Sequence, residues 1–584
     1  MFRLVRLLGS SAAALVAVAA LGVSSCYSAG GGQAPPMKSF YYPIGMAVSE
    51  HGNVLYVVNS DFDLQWNGGT VQSYDLHLIR QDVARLIASP LPGCPSNPPR
   101  QNPSNPSAVQ PGSFTCAPAT DSSIYVRDSA IIGAFATDMR LVSQRDAQGN
   151  LIDSAPSRLF MPVRGDASIT WADVAVDSEA PAPESATDAS SYPPFALDCS
   201  PRTSDNRCSD THHAGTNPNE IGNTRGITLP GEPFAMAFTE DNTSLVITHQ
   251  SDTKASLLRT GLLSATDLTT AQKARTAPNL QFVLDGLPTG GVGLATIPHD
   301  PLAFPKCAGC LAAPRPAFLE VSRATPQISL LRYYDDDGTA GSSSLLRPFL
   351  VNESNYVITA NAGGQDSRGI VIDPSPRIRC EANVSGVDFT AQPPRTQTDV
   401  DADTLKCARL PARAFITNRS PASLIVASIG DDGTSQSGTY NADSFRNAEN
   451  VPLPAGPSRV YLAPIVDVKG NYALRVFILC YDAAQVIVYD PDAKALEGVI
   501  RVGLGPFSVV FDPFNFRDVA LGKPAPIDPR INIGTHDLLR RYSFAYVASF
   551  TNSFVQILDL DATRPESFET IVFRLGTPTA PKGS

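Results

Sequence analysis

One phrase recurs along the chain, and it limits the fold more than any other feature. It reads Tyr42-Pro43-Ile-Gly-Met-Ala-Val48, a turn at Gly52, then Val54-Leu-Tyr56-Val-Val-Asn59. It returns as Glu232-Pro233-Phe-Ala-Met-Ala-Phe238 with Leu245-Val-Ile-Thr-His249 after a turn. It returns again as Gly505-Pro506-Phe-Ser-Val-Val-Phe511, with Phe544-Ala-Tyr-Val-Ala-Ser549 beyond an insertion. Each copy is a short apolar strand, a turn and a second apolar strand. Third strands follow at Thr70–Asp75, Gln485–Asp490 and Phe554–Asp559, and fourth strands at Leu496–Arg501 and Thr570–Arg574. Four short strands per unit, repeated, form the blade of a propeller, which buries its faces only against neighbouring blades.

Tyr56-Val-Val-Asn59 and Tyr546-Val-Ala-Ser549 resemble the Tyr-Val-Ala-Asn phrase of the YVTN-type β-propellers, whose blades also open on Gly/Pro. The resemblance implies an all-β ring of four-stranded antiparallel blades. Second-to-third-strand hairpins can be placed at Asn59, Arg164, His249, Arg323, Arg419, Tyr481 and Ser549, giving seven blades within one domain over residues 38–580. Two smaller β domains are the alternative. Gly456-Pro457 and Gly505-Pro506 stand 49 positions apart, so seven blades need about 350 residues. The excess falls in loop insertions near 90–121, 178–224, 300–315, 375–411 and 514–540, which hold much of the proline (50 residues). The first and last blades both look complete, with no strand visibly exchanged to close the ring.

The N-terminus carries an address. Arg3 and Arg6 precede an apolar run from Leu7 to Val23, without an acidic residue before Cys26. This is the layout of a secretory signal peptide over residues 1–25. Val23-Ser24-Ser25-Cys26 resembles the bacterial lipobox, which implies acylation of Cys26 and cleavage before it. Residues 26–37 then read as lipidated cysteine and flexible tether. Tyr27, not Asp, follows the cysteine, which favours the outer over the inner membrane. Without the leader the chain has 43 basic against 56 acidic side chains, a net of −13. Acyl chains, not a polybasic patch, would hold the protein on its bilayer, and the acidic balance argues against nucleic acid as a partner.

Export also explains the cysteines. Eight fall in neighbouring pairs inside loop-like stretches: Cys94 with Cys116, Cys199 with Cys208, Cys307 with Cys310, and Cys380 with Cys407. Local disulfides stapling the insertions are the simplest reading. Cys480 ends an apolar strand pattern and reads as a buried free thiol. Cys307-Ala-Gly-Cys310 has redox spacing but lacks the surrounding βαβ pattern.

Propellers expose their second-to-third-strand hairpins and first-strand lead-ins on one face, around the axial channel. Four hairpin positions, Arg164, His249, Arg323 and Arg419, would place cations there on an otherwise acidic body. The guanidinium fork suits carboxylate or phosphate, so an anionic ligand or acidic envelope partner is expected. Solvated turn arginines paired with loop carboxylates are the plainer alternative. Metal signals are weak. Asp399, Asp401 and Asp403 alternate as in calcium loops but lack the glycine and glutamate of an EF-hand. Asp335-Asp-Asp-Gly338 reads as an acidic turn, and His212-His213 with His249 as three imidazoles that extended geometry would part. No cofactor is predicted beyond a loosely held Ca²⁺. No Gly-x-Ser-x-Gly or HExxH motif is present. The chain therefore reads as a membrane-anchored envelope lipoprotein with a binding or scaffolding propeller. The alternative is a periplasm-facing hydrolase or lactonase with an axial metal.

Overall fold

The structure is a computed structural model. It describes residues 32–88, 117–144, 151–178 except 153, 192–262, 276–298, 315–334, 347–358, 365–384, 393–430 except 409, 443–512, 514, and 540–577 except 566. Seven antiparallel sheets follow one another along the chain, each with its first four strands in sequence order. Blade 1 is Pro43–Val48, Val54–Asn59, Gly69–Asp75 and Val126–Ile132; blade 2 is Arg140–Val142, Ser157–Val163, Ser168–Val174 and His213–Ala214. Blade 3 spans Pro233–Leu284, blade 4 Gly291–Val357, blade 5 Gln365–Pro452, blade 6 Pro457–Arg501 and blade 7 Pro506–Leu575.

Alternation along the second strands explains the ring. Tyr56 and Val58 pack against Leu159, Met161 and Val163 of blade 2, while Leu55 and Val57 pack against Phe544 and Tyr546 of blade 7. Both faces of each strand are thus covered, which is why these strands read as unbroken apolar runs. Each further pair of neighbouring blades shares such a cluster. A fully buried Val, Leu or Ile contributes about 1.5–3 kcal/mol, so every seam is held by many such increments.

Both terminal blades are complete, as expected, and the closing device lies elsewhere. The short strand Ala119–Thr120, from the insertion inside blade 1, runs parallel to the outer strand of blade 7 beside Arg574 and Leu575. Helix α1 (Leu76–Ala88), capped by Asp75 through the Leu78 amide, reinforces the same seam. Its Arg80 is 2% exposed and binds Asp512 of blade 7 at 2.7 and 2.9 Å.

The insertions are not all loops. Helices α2 (Ser375–Asn383) and α3 (Gln397–Ala408) fill that of blade 5 and are joined by Cys380–Cys407, with Cα atoms 5.3 Å apart. Cys199–Cys208 staples the insertion of blade 2. Among the described residues these are two of the four expected disulfides. The expected bond between Cys94 and Cys116 is not one of them, because Cys94 and Cys116 both lie outside the described residues. The same holds for the expected bond between Cys307 and Cys310. The insertion expected near 90–121 also differs from a stapled loop where it can be followed. Directly after Cys116, Ala117 packs against the core shared by blades 6 and 7, and Ala119–Thr120 is the closing strand instead of loop. Cys26 and Asp335–Gly338 likewise fall outside the described residues. Cys480 is free and buried, its thiol pushed up to about 12 by burial and then by Asp482.

The stretch 33–37, expected as tether, instead lies along blade 1. The Asn67 amide donates to the Gln33 carbonyl at 2.9 Å, Gln72 reaches the carbonyls of Pro36 and Ser39, and Pro35 is buried. Backbone carbonyls of an extended segment find donors there, so this part of the chain is anchored rather than free. Among the described residues, no helix is long and apolar enough to cross a membrane.

Candidate functional site: the channel mouth

Each blade opens in the same unusual way. At or near the start of each first strand one residue has positive φ: Tyr42 (51°), Phe135 (59°), Glu232 (51°), Gly290 (89°), Asp366 (72°), Gly456 (75°) and Gly505 (65°). The carbonyls of Tyr42, Phe135, Glu232, Gly290, Gly456 and Gly505 accept hydrogen bonds from the amides of Ser60, Arg164, Gln250, Arg323, Tyr481 and Phe550. Bulges at Pro43/Gly45, Gly291/Gly293, Ser367/Gly369, Pro457/Arg459 and Pro506/Ser508 then turn the chain into the first strand. Glycine suits such a position. At Gly456 a Cβ would come within 2.5 Å of Asp482, and at Gly505 within 2.6 Å of Thr551. Four blades nevertheless place Tyr, Phe, Glu or Asp there, at a cost of order 1–3 kcal/mol each. Such strain, held by the surrounding structure, gathers where a site needs a side chain.

These lead-ins and the hairpins frame a cavity of about 200 Å³ at one end of the channel. Its wall has two rings. The outer comes from the second-to-third-strand hairpins of blades 1, 2, 6 and 7, through Ser60, Arg164, Tyr481 and Phe550, and from Arg419 at the end of the second strand of blade 5. The inner comes from the first strands of blades 1, 5, 6 and 7, through Ile44, Arg368, Ser458 and Phe507, and from Thr137 on the lead-in of blade 2.

The mouth divides into two sectors. One is aromatic: Phe62 lies 5.4 Å from Phe550, 5.8 Å from Phe135 and 6.0 Å from Tyr42, and Phe507 stands 5.9 Å from Phe550. The other is cationic. Arg164 binds Glu232 at 2.6 Å, with its Nε unbonded among the described residues and its guanidinium 6.0 Å from the Phe135 ring. Arg368 binds Asp366 at 2.9 Å, Arg323 stands 3.9 Å from the same carboxylate, and Arg419 pairs with Asp482. Four guanidiniums thus share three carboxylates. Burial, then the neighbouring Arg368, Arg419 and Arg164, hold Arg323 below its usual range, while Asp366 opposes them. On the rim beside Phe62, the Asp61 carboxyl is pushed up to about 7 by burial, and Tyr41 donates to Asp63.

The structure therefore brings Arg164, Arg323 and Arg419 together and adds Arg368, which the sequence does not mark because it sits in the bulge between Ser367 and Gly369 rather than in a hairpin. His249 does not belong. It is the last residue of its strand, one position before the ring. Its Nδ1 meets the Gly231 carbonyl at 2.9 Å and its Nε2 meets Ser256 at 2.8 Å, and burial holds its pKa down near 4. Asn59 holds the same place in blade 1, bonded to Thr70 and Gln72. A slip of one residue moves a strand side chain to the other face, so His249 is a neutral tie inside the blade.

The metal candidates separate. Asp399, Asp401 and Asp403 lie on helix α3, where residues two apart point in nearly opposite directions. Asp399 forms a cap with Thr396, Asp401 accepts from Gln397, and Asp403 pairs with Arg395 and Lys406. A Thr-x-x-Asp cap starts a helix, which is why the segment is not a calcium loop. His212 stacks on Trp171 at 3.9 Å while His213 faces Asp166 at 3.6 Å. Among the described residues, no three His, Cys, Asp or Glu side chains stand close enough to share an ion.

A second cavity, of about 440 Å³, occupies the other end of the axis and is lined by the first strands of blades 1, 2, 5, 6 and 7. Asp138, flanked by Arg140 at 3.6 Å and Arg459 at 3.8 Å, sits at the step between the two.

The molecule is thus a seven-bladed β-propeller whose channel mouth joins a cationic to an aromatic sector. No protein-family model matches the chain, and no curated protein matches it by sequence. Among solved structures, a protein from Lactobacillus plantarum is 11% identical, with 79% of this chain and 85% of that chain covered and a TM-score of 0.37. Hydrazine synthase of Kuenenia stuttgartiensis is 10% identical, covering 91% and 99%, with a TM-score of 0.35. The periplasmic gluconolactonase PpgL of Pseudomonas aeruginosa is 11% identical, covering 60% and 88%, with a TM-score of 0.27. Likenesses at this level carry no argument about the chain, whose fold rests on its own sheet topology.

Proposed function

We propose that this chain is a lipid-anchored envelope protein, a propeller of the YVTN type that serves as a binding module. Its channel mouth takes an anionic ligand that also has an apolar portion. The observation that carries this reading is the convergence of Arg164, Arg368, Arg419 and Arg323 beside an aromatic sector headed by Phe62 and Phe550. A planar guanidinium accepts carboxylate, phosphate or sulfonate through paired donors, and aromatic faces take the apolar part. The lipobox-like Val23–Cys26 supports the anchor.

The aromatic sulfonate 8-anilinonaphthalene-1-sulfonate has both features and is fluorescent when bound in apolar surroundings. Titration of the full chain is expected to saturate at one site. Arg164→Gln with Arg368→Gln and Arg419→Gln should weaken it about tenfold or more, as expected for losing one or more charge-assisted hydrogen bonds. Equal affinity in the triple variant would remove the mouth as the binding site.

A further inference from the structure

The anchored end of the chain and the channel mouth are on the same face. Gly32 lies against Asn67, with a Cβ position 3.7 Å from that of Asn67, and the Asn67 amide holds the Gln33 carbonyl. Asn67 belongs to the blade 1 hairpin that also carries Phe62 and Leu64. Cys26 is six positions before Gly32, and a fully extended chain covers at most about 3.6 Å per residue, roughly 20 Å in all.

The face so tethered is apolar at its rim. Phe62 is 51% exposed, Leu64 40% and, on the lead-in loop of blade 7, Leu504 54%. Leu504 is held beside the blade 7 hairpin by its amide bond to Asn552. Beside this rim stands the guanidinium sector, within a body whose net charge is −13 once the leader is removed. A negative bilayer surface repels most of such a body and attracts the guanidinium sector.

We infer that the propeller docks mouth-down on the membrane that anchors it, with Phe62, Leu64 and Leu504 entering the headgroup layer and the mouth arginines meeting anionic phospholipid headgroups. This rests on acylation of Cys26 and names the ligand class of the proposed site as a membrane-resident anionic lipid. A tether of this length cannot carry the mouth far from the bilayer. Three exposed apolar residues stand beside four guanidiniums that share three carboxylates, with Asp61 and Asp63 also on the rim, and apolar side chains next to cations are what interfacial surfaces use.

Hydrogen exchange of the full, membrane-extracted chain tests it. The protein is returned to vesicles of phosphatidylethanolamine and phosphatidylglycerol in a two-to-one ratio, and its modification at Cys26 is read by mass. Amides of residues 60–68 and 502–505 are expected to gain protection relative to detergent. Turns at 239–243 and 467–471, between first and second strands at the opposite end of the blades, should gain none. Phe62→Ser with Leu64→Ser and Leu504→Ser, all at exposed positions, should lose the gain while remaining folded and vesicle-bound. An acylated chain protected equally on both faces, or on neither, overturns the orientation and leaves the anchor standing. An unmodified Cys26 overturns the anchor and the orientation with it. Equal protection on vesicles of phosphatidylcholine alone would overturn the role of anionic headgroups.

Discussion

Glu320, 3% exposed between blades 3 and 4, has an Oε2 that meets no hydrogen-bond donor among the described residues, and its carboxylate is packed onto Gly291. Burial alone pushes its pKa up to about 8 from an ordinary 4.5. Between those values the folded chain keeps a proton that the unfolded chain gives up, so stability falls as pH rises through that window. Glu320→Gln removes this decline. Guanidinium denaturation should show the variant gaining on the parent by at least about 1 kcal/mol between pH 5 and 9; a difference independent of pH would contradict it. At the same scale, the sequence exposed most of the mouth but not its register. Asn59, His249 and Ser549 end strands, whereas Arg164, Arg323 and Tyr481 follow them. Apolar strand runs carry no mark of where the last pair falls, so the hairpin positions mix residues of the outer ring with strand ends that lie outside it.

Among the elements, the lead-in turns set strain against charge. Glu232 and Asp366 adopt left-handed backbone that glycine would take without cost, and both neutralise mouth arginines. Replacing either with glycine should therefore leave thermal stability equal or higher and tighten anilinonaphthalene-sulfonate binding by severalfold. Weaker binding in both would mean that the carboxylates position the arginines rather than mask them. The strands of these blades were legible because their apolar runs, turns and Pro-led openings agree with one another. Helix α1 was missed although Leu76, Ile79 and Val83 follow helical spacing, because the proline-rich stretch just beyond it marks an insertion. Arg368 left no signal, since a bulge, not a repeat residue, turns it to the mouth.

At the level of the whole molecule, stability depends on the seam between blades 1 and 7, the only one not followed by continuous chain. Arg80 crosses it to Asp512, which also accepts from Tyr546 at 2.8 Å, and its guanidinium lies 4.0 Å from the Phe514 ring. Arg80→Ala strands a buried carboxylate and should destabilise the protein by about 3–5 kcal/mol. Calorimetry should show one lowered transition; an unchanged midpoint would mean that the seam is not limiting. Seven blades and their order were readable because each repeats a pattern. The clasp was not, because Ala119–Thr120 is only two residues, and Cys116 just before it marks the stretch as one more stapled, proline-rich loop. The central claim, that the mouth is the binding site, meets its most direct test in an experimental structure of the full chain with bound anilinonaphthalene-sulfonate. The sulfonate is expected on Arg164, Arg368 or Arg419 and the rings against Phe62 and Phe550. Probe found only in the opposite axial cavity, beside Asp138 and Arg140, would contradict it.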